Sequence, residues 1–192
     1  MMEIIKKIRE ETGAGVVDIK KALDECKGDQ EAAKKLLRQK GLEKASKKKD
    51  RLAKEGLVGS YVHSDGKQAA MVKVYCETDF VARNDEFKEL ARDLAMQVAA
   101  MSPISIKKED VPAEIVKEQM DFWKKELAED KKPEDIKKKI LEGKENKFRS
   151  EKALLSQNFV KNPDQTIEEL IKEKITKLGE NIEIGEFTKL EI

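Results

Sequence analysis

The sequence contains very few of the residues from which metal and redox sites are usually built. Its 192 residues include one histidine, His63, and two cysteines, Cys26 and Cys76. A single histidine excludes a site of several histidine ligands, and the wide separation of the cysteines matches no zinc or thiol-redox motif. Two cysteines without a disulfide framework are typical of free thiols in a reducing compartment, so we expect a cytoplasmic protein.

Long apolar runs and phosphate-binding loops are also missing. No stretch approaches the roughly 20 apolar residues that a membrane-spanning helix needs. The first residues lack the uninterrupted apolar segment of a secretory signal, so we expect no export. Because there is no loop of the GxxxxGK[ST] or GxGxxG type, we expect no direct nucleotide binding.

Neither sign of charge predominates, although charged residues make up 41% of the chain. Forty Lys and Arg stand against 39 Asp and Glu, which gives a net charge of +1. This balance argues against a protein that coats nucleic acid. Interspersed charges of both signs are instead typical of amphipathic helices with solvated outer faces.

Residues 1–41 predict a compact module of three short helices. Apolar residues recur at helical spacing in three runs, which are expected to end at Gly13, Gly28 and Gly41 because glycine terminates helices readily. The small size makes Cys26 a core residue rather than a nucleophile. The expected core consists of Ile4, Ile5, Ile8, Val16, Ile19, Leu23, Cys26, Ala33, Leu36 and Leu37.

Residues 42–56, the connector, predict a basic linker helix. An excess of positive charge in this segment could bind RNA or an acidic protein surface. No aromatic residue is interleaved to stack on a base, so a solvated helix is the favoured interpretation. Its basic residues are Lys44, Lys47, Lys48, Lys49, Arg51 and Lys54.

Three segments of residues 57–192 alternate as β-strands do and predict a small antiparallel sheet. A hairpin turn at residues 64–67 joins the first two, because Gly66 accepts a positive φ. In the last segment the alternation changes phase after Gly185, which predicts a β-bulge. The three segments are 57–63, 70–76 and 181–187.

Helical patterns fill the rest of residues 57–192, which predicts an α+β domain with helices covering the sheet. Pro112 and Pro133 each suit the first turn of a helix, and Gly143 is expected to end the second of these helices. Thr166 and Glu169 predict a capping box at the start of the last helix. The inner face of the long helix after the second strand is expected to be Phe87, Leu90, Ala91, Leu94 and Val98.

No combination of residues predicts enzymatic catalysis. His63 follows a strand without a serine, cysteine or carboxylate at a spacing that would make it a base, so we interpret it as a structural or surface residue. Trp123 lies in an apolar helical stripe and is interpreted as a core residue. We therefore expect no enzyme, no cofactor and no metal.

The segment 76–84 joins a strand to the long helix and contains one aromatic residue, Phe80. Taken alone, a phenylalanine at such a junction favours a core anchor. The alternative is an exposed ring beside the carboxylate of Asp79, which is the composition of an interface hot spot.

Several motifs give the sequence a resemblance to a known family. Thr12–Gly15, Asp18–Leu23 and Gly28-Asp29 together resemble the opening module of the bacterial elongation factor Ts family, and Thr78–Ala82 resembles its central signature. The resemblance covers nearly the whole chain. Shorter matches are Gly59–Tyr61, Phe159-Val160 and Gly179–Ile182.

This resemblance implies a ubiquitin-associated-like first module and a larger domain that binds elongation factor Tu and promotes release of its GDP. It implies that the run Thr78, Asp79, Phe80 and Val81 disturbs the partner's Mg²⁺ and phosphate site. It also implies that Lys20, in the module, contacts the partner. These roles come from the resemblance alone.

The chain has room for one core half where longer members of the family have two. Since shorter members resemble dimers, we expect a two-fold homodimer. Two other functions stay open on the residues alone. One is an RNA- or ribosome-associated binding module, prompted by the connector's lysines. The other is a helical adaptor that binds partners through its first module.

Overall fold

The structure is a computed structural model, and it describes residues 2–128, 130 and 132–192. Within these residues, eight α-helices and five β-strands form an α+β protein, which confirms the predicted fold class. The helices are α1 (Met2–Thr12), α2 (Val16–Glu25), α3 (Gln30–Ser46), α4 (Asp79–Ala82), α5 (Asp85–Met101), α6 (Ala113–Ala128), α7 (Glu134–Lys152) and α8 (Ile167–Leu178). The strands are β1 (Glu55–Val62), β2 (Gln68–Cys76), β3 (Asn158–Phe159), β4 (Asn162–Thr166) and β5 (Ile182–Glu191).

The first three helices pack around a small apolar core of their own. The predicted ends of α1 and α2 are confirmed, and Asp29 caps α3 by accepting hydrogen bonds from the amides of Glu31 and Ala32. Val16, expected in this core, is instead exposed at the first position of α2. The buried core residues are Ile5, Ile8, Ile19, Ala22, Ala33 and Leu37.

The prediction that the third helix ends at Gly41 is wrong, because α3 continues to Ser46. Gly41 is buried where α3 meets α8, and a Cβ atom at this position would lie 3.0 Å from the Thr176 methyl carbon. The Thr176 hydroxyl also donates to the Gly41 carbonyl at 2.9 Å. The glycine is thus explained by the close approach of two helices rather than by helix termination.

The connector is helical only where it completes α3. Residues 47–50 form turns, and β1 begins at Glu55, two residues earlier than expected. The described residues therefore show no separate linker helix between α3 and the sheet. Among the connector's basic residues, the side chain of Lys44 lies outside the described set.

The three-stranded sheet has the order β1-β2-β5, and both of its pairings are antiparallel. Its inner face lies against α5, whose predicted inward residues are all buried. The predicted bulge is confirmed, since Val74 pairs with Ile184 whereas Val72 pairs with Phe187. The extra residue in β5 keeps Phe187 on the same inner face as Ile184. The buried residues of β2 are Ala70, Val72, Val74 and Cys76.

Two features outside this sheet differ from expectation. Gly143 lies in the middle of α7 and does not end the helix, and a Cβ added at this position would have no described neighbour within 4 Å. The short β3–β4 hairpin is not predicted by the sequence pattern, because its strands are only two and five residues long. The capping box of Thr166 and Glu169 at the start of α8 is present as predicted.

No helix in the described ranges combines the length and the apolar character that crossing a bilayer requires.

Glycine-to-alanine substitutions at two positions should change stability in opposite directions. A Cβ at Gly59 would lie 2.2 Å from the carbonyl oxygen of Ala91 in α5. This atom belongs to the helix backbone, so it could move away only if α5 itself were displaced. We expect Gly59→Ala to lower the free energy of unfolding by about 1–3 kcal/mol or more. Gly143→Ala, in open space within α7, should raise it by about 0.5–1 kcal/mol.

Urea unfolding of both variants, followed by circular dichroism, measures these changes. A Gly59→Ala variant as stable as the wild type would contradict the close approach of β1 to α5. A destabilised Gly143→Ala variant would contradict the continuity of α7.

Candidate functional site

The predicted site residues Thr78 to Val81 form a short, prominent turn between β2 and α5, which we call the tip. β2 ends at Cys76, and Thr78 then caps the single helical turn α4, its hydroxyl oxygen accepting from the Val81 amide at 3.5 Å. Asn84 caps α5 in the same way. The sequence pattern leaves open whether the helix begins near Asp79 or near Asn84, and the structure has a helix start at each.

The ring of Phe80 points into solvent. This residue is 84% exposed, so the interpretation of Phe80 as a core anchor is wrong, and the alternative of an exposed ring is correct. Asp79 lies beside it and forms an ion pair with Arg83 at 3.1 Å. Val81 is half-buried and packs against the core of the larger domain, so the tip is fixed on one side and free on the other.

Thr78 is held by Glu180, a residue in the turn between α8 and β5. One carboxylate oxygen of Glu180 accepts hydrogen bonds from the backbone amides of Glu77 and Thr78, both at 3.0 Å. The other oxygen accepts from the Thr78 hydroxyl at 2.6 Å. Three donors therefore converge on one carboxylate.

A second carboxylate links the same two segments in the opposite direction. The Glu77 carboxylate accepts a hydrogen bond from the backbone amide of Asn181 at 2.6 Å. It also lies 3.6 Å from the Arg51 guanidinium. We call Glu77, Thr78, Glu180 and Asn181 together the polar clamp. Because each segment supplies both a carboxylate and backbone amides, neither can shift alone without breaking charge-assisted hydrogen bonds.

The polar clamp also holds the connector. The buried side-chain amide of Asn181 donates to the carbonyls of Arg51 and Lys49, at 2.8 and 3.3 Å. The ammonium group of Lys48 donates to the Gly179 carbonyl at 2.6 Å. Two of the connector's cations, Lys48 and Arg51, thus make contacts within the protein, which weakens the interpretation of the connector as an RNA-binding segment.

Cys76 lies at the base of the tip and is buried. Its thiol donates to the Thr78 carbonyl at 3.2 Å. Burial, together with the nearby carboxylate of Glu180, raises the pKa of this thiol to about 11. Cys76 is consequently a neutral hydrogen-bond donor at neutral pH and not a nucleophile.

Lys20, the predicted contact residue of the first module, is exposed on α2 and is not part of the polar clamp. It borders a shallow groove of about 500 Å³. The groove is lined by Ile4, Ile5, Leu23, Asp24, Lys27 and Gly28 besides Lys20 itself. The lining combines three apolar side chains, Ile4, Ile5 and Leu23, with three charged ones, Lys20, Asp24 and Lys27.

The other residues considered from the sequence form no reactive group. His63 is exposed in the β1–β2 hairpin, with Nδ1 3.0 Å from the Tyr61 hydroxyl oxygen. Trp123 is half-buried on α6 and meets the Phe148 ring edge-on at 5.9 Å. Among the described residues, no three metal-ligating side chains converge on one point.

Sequence reasoning missed Glu180 as a member of the site. The run Gly179–Ile182 stands out in the sequence only as one of the shorter family matches, and Glu180 lies 102 residues from Thr78. No local periodicity connects positions so far apart, so only the folded chain shows the contact.

Comparisons with known proteins agree on one family over the whole chain. The family model described as Elongation factor TS matches residues 2–192. A protein named Elongation factor Ts from Maridesulfovibrio salexigens is 48% identical over 190 residues, which cover 99% of this chain and 92% of that protein. Proteins of the same name from Carboxydothermus hydrogenoformans and Thermotoga maritima are 46% and 47% identical, covering 99% and 100% of this chain and 88% and 95% of theirs.

The two cysteines should differ in their reaction with iodoacetamide. With a pKa of about 11, only about one Cys76 thiol in a thousand is ionised at pH 8, and burial further restricts access. We expect Cys26, which is only half-buried, to be alkylated first, and Cys76 to react only slowly in the native protein. The rate at Cys76 should rise with pH up to about 11.

Peptide mass spectrometry after timed alkylation distinguishes the two sites, and the urea-unfolded chain, where both should react readily, is the control. Equal native rates at Cys26 and Cys76 would contradict the buried position of Cys76 under the tip.

Proposed function

Because the chain belongs to the elongation factor Ts family, we propose that it is the guanine nucleotide exchange factor of elongation factor Tu. In this proposal the chain binds the GDP form of its partner and promotes release of GDP. It acts in the bacterial cytoplasm, binds no nucleotide itself and performs no covalent chemistry. The observation that carries the proposal is the exposed ring of Phe80 on a tip that is held by the polar clamp.

The energetic requirement is linkage between two binding events. A factor that binds the nucleotide-free partner more tightly than the GDP form must weaken GDP binding by the same ratio. Each tenfold of weakening needs about 1.4 kcal/mol of differential binding. Burying one phenylalanine side chain contributes roughly 1.5–3 kcal/mol, which matches this need if the receiving pocket opens only in the distorted partner.

The proposed mechanism assigns different tasks to the site residues. Phe80 inserts into the partner, Asp79 fixes the local geometry of the tip through its ion pair with Arg83, and the run Thr78–Val81 as a whole disturbs the partner's Mg²⁺ and phosphate site. A Mg²⁺ ion bound with GDP in the partner would supply positive charge to the phosphates, so a tip that disturbs this ion would weaken GDP binding. Lys20 and the groove beside it hold the first module, proposed to be ubiquitin-associated-like, on the partner.

The exposed face of the sheet supports the proposed homodimer. Four aliphatic side chains on the face opposite α5 are exposed: Val58, Val62, Met71 and Leu190. Cross-strand pairing places Val62 and Leu190 on either side of Ala69, and Met71 lies two residues along β2 from Ala69 on the same face. Lys73, the cross-strand partner of Val58, forms an ion pair with Glu186.

Such a face suits a second copy of the same chain because it is self-complementary in chemistry. In a two-fold contact each aliphatic side chain would meet an equivalent one, and full burial contributes about 1.5–3 kcal/mol for each. A second sheet would then cover the side that no helix of the described chain covers.

Phe80→Ala should abolish most of the stimulated GDP release while leaving the chain able to bind elongation factor Tu. We expect the maximal release rate to fall roughly 10- to 100-fold, the equivalent of about 1.5–3 kcal/mol of lost ring burial. Stopped-flow release of fluorescent GDP measures the rate, and calorimetric titration measures binding.

The matched control for this variant is Phe122→Ala, which removes another exposed phenylalanine, 61% exposed on α6. Its release rate should equal that of the wild type. An unchanged rate for Phe80→Ala would contradict the proposed insertion of the ring.

Met71→Glu should convert the proposed dimer into a monomer. A buried, unpaired carboxylate in each copy disfavours sheet-on-sheet contact strongly. Light scattering should give about 44 kDa, twice the 21.9 kDa chain, for the wild type and about 22 kDa for the variant. Ile136→Glu, on the exposed surface of α7, should stay dimeric. A wild-type mass near 22 kDa at micromolar concentration would contradict the dimer.

A further inference from the structure

We infer that Glu180 is a positioning residue for nucleotide release, because its carboxylate fixes the backbone that presents Phe80 to the partner. This inference rests on the proposed function and extends it to a residue on a different segment of the chain. Glu180 need not touch the partner for this role. Its effect would be transmitted through Glu77, Thr78 and the turn that follows.

An exposed ring has no packing contacts of its own to define its position. Phe80 is 84% exposed, so apolar burial within the chain does little to hold it. Its location therefore depends on the backbone that carries it, which is fixed two residues earlier at Thr78. A rigid tip also avoids the entropic cost of ordering a flexible one on binding.

The polar groups of Thr78 are almost completely used in holding that backbone. Its backbone amide and its hydroxyl both donate hydrogen bonds to the Glu180 carboxylate. Its carbonyl accepts hydrogen bonds from the Cys76 thiol and from the Ala82 amide, both at 3.2 Å. Of these contacts, only those with Glu180 come from outside the β2–α4 segment. Glu180 therefore supplies the long-range hydrogen bonds that restrain Thr78.

The acceptor capacity of a carboxylate suits this arrangement better than any other side chain. Glu180 accepts three hydrogen bonds with two oxygens, and two of the donors are backbone amides, which only a substitution by proline would remove. A glutamine has one acceptor oxygen and would turn its amide hydrogens toward one of these donors. Alanine would leave all three donors without this partner.

The test is a double-mutant cycle between Glu180 and Phe80. We expect Glu180→Ala to lower the maximal GDP release rate by up to the roughly 10- to 100-fold expected for Phe80→Ala, while the chain concentration at half-maximal rate changes much less. In a Phe80→Ala background the same substitution should cause almost no further loss, since there is no ring left to position. Glu142→Ala, an exposed glutamate on α7, is the control of equal charge change and should leave the rate unchanged.

A purely structural role would give a different result in this cycle. If Glu180→Ala reduces the rate equally with and without Phe80, the inference is overturned. Wild-type release by Glu180→Ala overturns it as well. Glu180→Gln keeps the side-chain volume and should show a smaller loss of release rate. This variant replaces Glu180→Ala in the cycle if the alanine variant does not fold.

Amide hydrogen exchange in the free chain separates this inference from the proposed function. Glu180→Ala should accelerate exchange at Glu77 and Thr78, whereas Glu142→Ala should not. A wild-type chain that fails to accelerate GDP release would refute the proposed function, and the exchange data would then decide alone whether Glu180 holds the tip. Unchanged protection at both amides in the variant would overturn the inference whatever the release assay shows.

Discussion

The crossed carboxylates of Glu77 and Glu180 are the contacts on which the arrangement of the candidate site depends. They join the end of β2 to the turn before β5 through hydrogen bonds of 2.6 to 3.0 Å. Hydrogen bonds that involve a charged group contribute about 1.5–3 kcal/mol each to stability, more than neutral ones. They are therefore strong enough to hold an exposed aromatic ring in place where packing cannot.

The same network joins the two regions that we propose to contact elongation factor Tu. Asn181 binds the carbonyls of the connector, while α3 runs unbroken past Gly41 along α8. The first module is thus attached to the larger domain both by helix packing and by hydrogen bonds beside the tip. This attachment gives Lys20 and Phe80 a defined relation within one chain, which a partner with two contact surfaces would require.

Much of the fold could be predicted because its signals are local. The alternation in β2, the inner face of α5, the capping box of α8 and the bulge after Gly185 each depend on neighbouring residues, and all are confirmed. At Gly41 and Gly143 the prediction failed because a glycine inside a helix has the same local pattern as a stop signal, although only Gly41 is required by packing. The exposure of Phe80 and the role proposed for Glu180 depend on contacts between distant segments, which periodicity does not encode.

In the proposed mechanism, a rigid, outward-facing ring weakens GDP binding in a partner protein without any chemistry by this chain. The deciding measurement is the dissociation rate of labelled GDP from elongation factor Tu as the purified chain is titrated in. We expect a rate that rises hyperbolically with chain concentration to a plateau well above the spontaneous rate. A complex that forms, as shown by its mass, while GDP leaves at the spontaneous rate would contradict it.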